Sequence, residues 1–142
     1  MITFNLVTLT GNKFGEDVYE VLLPTLDGII GVMPGHMPLV SVATTGQVSV
    51  RRKAGDRDDM MEHFAITGGV IEVSNNVLSL LVDEADNAED ISEAEAKAAM
   101  EEAQKLKREA RDQVSLEKAQ DLIDRQAVRL QVAGLKRRRP RS

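Results

Sequence analysis

The chain contains no cysteine and no tryptophan. The first absence removes disulfide frameworks, thiol nucleophiles, iron–sulfur clusters and Cys-based zinc sites. Two histidines, His36 and His63, are too few for a three-His metal centre. One Tyr and three Phe leave little for base stacking. A net charge of −5 does not suit a protein whose main task is gripping nucleic acid. No apolar run approaches the ~20 residues of a membrane span. The N-terminus has no basic region followed by an apolar stretch, so no secretory signal is expected. The 142 residues amount to one domain, or one small domain with an appendage.

Composition changes near residue 85. Residues 1–83 hold 24 Val, Ile and Thr against three Ala, whereas residues 88–142 hold five against ten. Branched side chains suit a pleated sheet and Ala suits helices. The expected fold class is therefore α+β: an antiparallel β-sandwich over residues 1–87, then an antiparallel helical hairpin with a basic tail over residues 88–142.

Short alternating runs separated by turn residues mark the first part. Ile2, Phe4 and Leu6 alternate with polar neighbours ahead of Gly11-Asn12. Tyr19, Val21 and Leu23 read as an inner face, with Val18, Glu20 and Leu22 outward. Val48 and Val50 form another alternating run, Leu78, Leu80 and Val82 close the sandwich, and Ala54 to Asp59 is a polar hairpin tip. In the second part Ser92 and Glu95 fit a helix capping box. Ala96, Met100, Ala103, Leu106 and Ala110 follow as one helical face. Ser115 is the expected cap of a second helix, whose stripe is Leu116, Ala119, Ile123, Ala127 and Leu130 and whose stop is Gly134. Ala-rich stripes bury little apolar area, so the hairpin is expected to dock weakly.

Gly28-Ile29-Ile30-Gly31 and Pro34-Gly35-His36-Met37-Pro38 form the densest cluster of turn residues. No Gly-Lys-Ser/Thr follows, so it is not a phosphate loop; a shaped loop or strand corner is expected. His36 and His63 read as hydrogen-bonded structural histidines, with metal binding or base chemistry as the alternative. Asp83, Glu84, Asp86, Glu89 and Asp90 read as a solvated acidic linker rather than a cation site. Lys136, Arg137, Arg138, Arg139 and Arg141 form a basic terminus. It is open to two readings, a contact with an acidic surface or a solubilising tail.

Three segments carry a resemblance. Gly28 to Leu39 resembles the Gly-x-x-Gly-x-x-Pro-Gly-His-x-Pro-Leu signature of the F-type ATP synthase epsilon subunit family, bacterial type. Ala65 to Ser74 resembles that family's Ser-Gly-Gly-Phe-x-Glu-Val strand pair, and Leu80 to Ala85 resembles the end of its sandwich. The resemblance implies a non-catalytic rotor subunit without a cofactor, peripheral to the cytoplasmic face of a bacterial plasma membrane. It implies that the sandwich joins the gamma subunit to the c-ring of the membrane sector. It also implies that the C-terminal helices reach the alpha and beta subunits to regulate ATP hydrolysis. Residues Gly28, Ile29, Ile30, Gly31, Pro34, His36 and Pro38 become the expected partner contacts, and the basic terminus the regulatory element. Ile29 stands where the family often carries an acidic residue at the c-ring contact. Ile91 and Ala96 match the family's nucleotide motif, Ile/Leu-Asp-x-x-Arg-Ala. Ser92 and Glu95 replace its Asp and Arg, and a carboxylate in place of a phosphate-pairing cation opposes ATP binding. The rival readings are a general protein-interaction module with a mobile hairpin, and a metal-dependent sandwich hydrolase using both histidines.

Overall fold

The computed structural model describes residues 1–136. The sequence from Ile2 to Asn87 forms ten strands. They are β1 (Ile2–Thr8), β2 (Gly11–Val18), β3 (Glu20–Thr25), β4 (Gly28–Val32), β5 (Leu39–Ala43), β6 (Gly46–Arg51), β7 (Glu62–Ile66), β8 (Gly69–Ser74), β9 (Val77–Val82) and β10 (Ala85–Asn87). Hydrogen-bonded neighbours run β10-β7-β6-β3-β5-β8-β9-β1-β2, with β4 on β3. The link between β3 and β5 is a single residue pair, Thr25 with Ala43. The sheet turns there, and both halves close over one apolar core. The pairing is antiparallel as expected except between β1 and β9, which run parallel.

Alternation explains the core. In β1, Ile2, Phe4 and Leu6 are fully buried while the residues between them are half-buried. Leu78 and Leu80 from β9 face the same interior. Phe14 links the layers: its ring centroid lies 5.4 Å from Phe4 and 5.8 Å from Phe64, the latter edge-on. Edge-on aromatic pairs suit the ring quadrupole. The expected faces around Tyr19 are corrected. Val18 is buried and Tyr19 half-buried, because β2 ends at Val18 and β3 begins at Glu20. A change of strand resets the period-two pattern; within β3, Val21 and Leu23 point inward as expected.

The acidic linker is also corrected. Ala85–Asn87 is a strand paired with β7, and Asn87 then accepts the Glu89 N–H at 3.0 Å to start a short 3-10 turn. Helix α1 spans Glu93–Glu109, with Ser92 accepting the Glu95 N–H at 3.2 Å as the cap. Helix α2 spans Gln113–Ala133. Its cap is Asp112, which accepts the Ser115 N–H at 2.7 Å. Ser115 therefore lies inside the helix rather than at its cap. A carboxylate at that end also complements the helix dipole. Gly134 caps the C-terminal end, its N–H donating to the Leu130 carbonyl.

Helix α1 packs mainly on α2, and α2 docks on β6, β7 and the 3-10 turn. A small second core forms there from Ala65, Ala88, Ile91, Val132 and Ala133, with Val128 against it. Of the residues in the expected stripes, Ala96, Ala103 and Ala119 are buried while Leu106 and Leu116 stay exposed.

Candidate functional site

The segment Gly28 to Pro38 is not one loop. Its first half is strand β4, which pairs along one edge with β3. Gly28 ends the preceding turn at φ +112, a conformation glycine supplies without a Cβ penalty. Thr25 fixes that turn, donating through Oγ1 to the Gly28 carbonyl at 2.6 Å and accepting the Asp27 N–H at 3.2 Å. Along β4, Gly28, Ile29 and Gly31 are exposed, Ile29 strongly at 75%, and Ile30 is half-buried. Pro34, His36 and Pro38 lie past the opposite end of this strand. There Gly35, at φ +81, donates its N–H to Asn76 Oδ1 at 2.7 Å, which ties the turn to the β8–β9 connection. The seven expected contact residues thus lie along and beyond one edge strand rather than at one spot. Exposed Leu26 and Met37 flank them.

His36 Nδ1 lies 2.7 Å from the Met37 carbonyl oxygen, and His63 Nδ1 lies 2.8 Å from Ser49 Oγ. Burial lowers the His63 pKa from its ordinary value. Both are hydrogen-bonded as a structural reading expects. Among the described residues no group of three or more His, Asp or Glu is placed to hold a metal ion.

A second surface has no counterpart in the expected contacts. On the outer face of the other sheet half, Val42 pairs with Val70, and Val70 pairs with Leu81. With Val40 they form a row of apolar side chains that are 48% to 73% exposed. The signal was present: β5, β8 and β9 carry apolar residues in both phases of the alternation, as in Leu80-Leu81-Val82. A strand apolar on both faces needs a cover on each.

A third region joins hairpin and sandwich. Arg129 is ion-paired with Asp86, and Arg125 lies between Glu84, at 3.9 Å, and Asp121, at 3.0 Å. Beyond them Gly134, Leu135 and Lys136 wall one side of an open cleft of about 570 Å³, with His63 and Ser49 on the other. Lys136 is exposed at its rim; Arg137, Arg138, Arg139 and Arg141 lie outside the described residues. Ile91 and Ala96, the two matches to the nucleotide motif, are 2% and 1% exposed, so both are packing residues in this arrangement.

A family model described as ATP synthase, Delta/Epsilon chain, beta-sandwich domain matches residues 1–88. The chain belongs to that family. An ATP synthase epsilon chain of Lactobacillus delbrueckii is 33% identical over 137 residues, covering 94% of this chain and 93% of its own length. One from Herpetosiphon aurantiacus is 32% identical and spans 97% of this chain and 98% of its own. A chain in a Euglena gracilis mitochondrial ATP synthase assembly shares the fold, with a TM-score of 0.77 over 94% of this chain and 81% of that one, at 21% identity. As a member of the epsilon family of F-type ATP synthases, the chain is a non-catalytic accessory subunit of that complex. Among the described residues no helix is long and apolar enough to cross a membrane.

Proposed function

We propose that the chain couples the rotor: its sandwich binds the gamma subunit and seats it on the c-ring, and its helices restrain ATP hydrolysis at the alpha and beta subunits. The observation that carries this reading is the apolar row Val40, Val42, Val70 and Leu81 on an otherwise complete sandwich. A contiguous exposed apolar patch marks a protein contact. That row is the gamma face, and the β4 edge with Ile29 and the Pro34–Pro38 turn is the c-ring face. The docked hairpin is the resting arrangement, and its basic terminus engages an acidic surface of the catalytic head on extension. A location on the cytoplasmic face of a bacterial plasma membrane follows from this role. Nucleotide is no part of the proposal, because Glu95 would oppose a polyphosphate.

The test is copurification of the assembled complex carrying Val42→Lys with Leu81→Lys. Both residues are exposed, so the free chain keeps its unfolding midpoint, while recovery with alpha, beta and gamma falls. Undiminished recovery would overturn the assignment of that face. In the complex with Val42 and Leu81 unchanged, deletion of residues 137–142 raises ATP hydrolysis at low salt, and the gain shrinks at high salt.

A further inference from the structure

A chain of side-chain hydrogen bonds runs from α2 into the sheet. Gln131, near the end of α2, donates from Nε2 to Gln47 Oε1 at 3.3 Å. Gln47 Nε2 donates to Ser49 Oγ at 3.0 Å and lies 3.4 Å from His63 Nδ1. Ser49 Oγ is 2.8 Å from the same Nδ1, and Ser49 itself is 4% exposed. Ser49 Oγ, accepting from Gln47, has its own proton free to give to His63 Nδ1. In that arrangement two donors converge on Nδ1, which carries the lone pair of a neutral ring with its proton on Nε2.

We propose that His63, Gln47 and Gln131 form a proton-sensitive relay through which acidification loosens the docking of α2 on the sandwich. A proton added at Nδ1 turns that nitrogen from acceptor to donor. It then confronts the Gln47 amide N–H₂ group and the Ser49 proton. Ser49 Oγ turns its proton away and accepts the new one, while the Gln47 N–H₂ group, now facing a cation, gives way to Oε1, and the acceptor that held Gln131 is withdrawn. The charged groups around the cleft do not offset this. Arg51 is held by Glu20 at 3.1 Å and by Asp58 at 2.6 Å, and Asp59 pairs with Arg57 at 3.3 Å. Lys136, on the α2 side, adds positive charge. Undocking α2 opens the cleft and returns water to the ring. Burial in the docked form lowers the His63 pKa, so docking is favoured above the ordinary His pKa and weakened as pH falls below it.

The test uses the full chain, whose lack of cysteine permits site-specific labels at Lys53→Cys and Lys118→Cys. Distance distributions are recorded from pH 7.5 to 5. The undocked fraction should rise on acidification, by at most about tenfold per pH unit for one proton, and the rise should disappear in His63→Gln. An unchanged distribution, or the same pH profile in His63→Gln, overturns the relay. Should that variant fold poorly, proton NMR on the unmodified chain decides. The amides of residues 128–136 should follow the His63 titration, with His36 as the internal reference. A His63 titration that leaves them unmoved overturns the proposal. Neither arm involves the assembled complex, so its failure is distinct from failure of the coupling role.

Discussion

Arg129 on α2 is ion-paired with Asp86 on β10, across 43 residues of sequence. The two side chains are 27% and 38% exposed, so water and salt compete with the pair. Partly exposed pairs contribute ~0–1 kcal/mol. Asp86→Ala should therefore raise the undocked fraction of the hairpin only about twofold at low salt. Amide exchange in residues 128–133 measures it. The difference from the parent chain should fade near 1 M salt, where the Debye length is ~3 Å.

Of the ten glycines, Gly69 leaves the least room for a side chain. A Cβ there would stand 1.9 Å from the Leu81 carbonyl oxygen and 2.7 Å from Val82 Cγ1. Neither neighbour can yield, because β8 is hydrogen-bonded to β9 on one side and β5 on the other. Gly69→Ala should cost ~3 kcal/mol, at the high end for a single substitution. Gly55→Ala, in the β6–β7 tip with nothing within 4 Å of the added carbon, should stay within ~0.5 kcal/mol. Denaturant unfolding of the two variants separates them.

The Asp112 cap predicts an acid transition at the start of α2. The backbone hydrogen bond from Ser115, and after it the Ser115 hydroxyl, hold the Asp112 pKa below its ordinary value of 3.8. A depressed carboxylate stabilises above its unfolded pKa and loses that contribution as pH falls through its folded one. The first-turn amides of α2 should therefore gain exchange only below about pH 4. Asp112→Asn keeps an acceptor without the charge and should flatten that profile. NMR of residues 113–116 between pH 2 and 6 checks it.

Much of the fold was legible because its signals are local. Alternation placed Ile2, Phe4 and Leu6 inside, the Val/Ile/Thr-to-Ala shift divided sheet from helices, and Ser92 capped α1 as its spacing requires. Those signals depend on neighbours two to four residues away, which the chain itself supplies. They misled at Tyr19 and Ser115, where a strand change and a stronger Asp cap lay one to three residues off.

Pairing over long separations belongs to another level. The parallel partnership of β1 with β9, the recruitment of Ala85–Asn87 as a strand, and the contact of Arg129 with Asp86 join residues far apart in sequence. Ile29 was readable as a surface residue only in part. The row Val40, Val42, Val70 and Leu81 became a surface only when three strands took a common register. Sequence alone determined which residues are apolar and with what period, and so the fold class and the family. The tertiary structure decided which apolar residues cover one another and which stay bare. Burial is a property of the whole packed surface, and no single strand carries it.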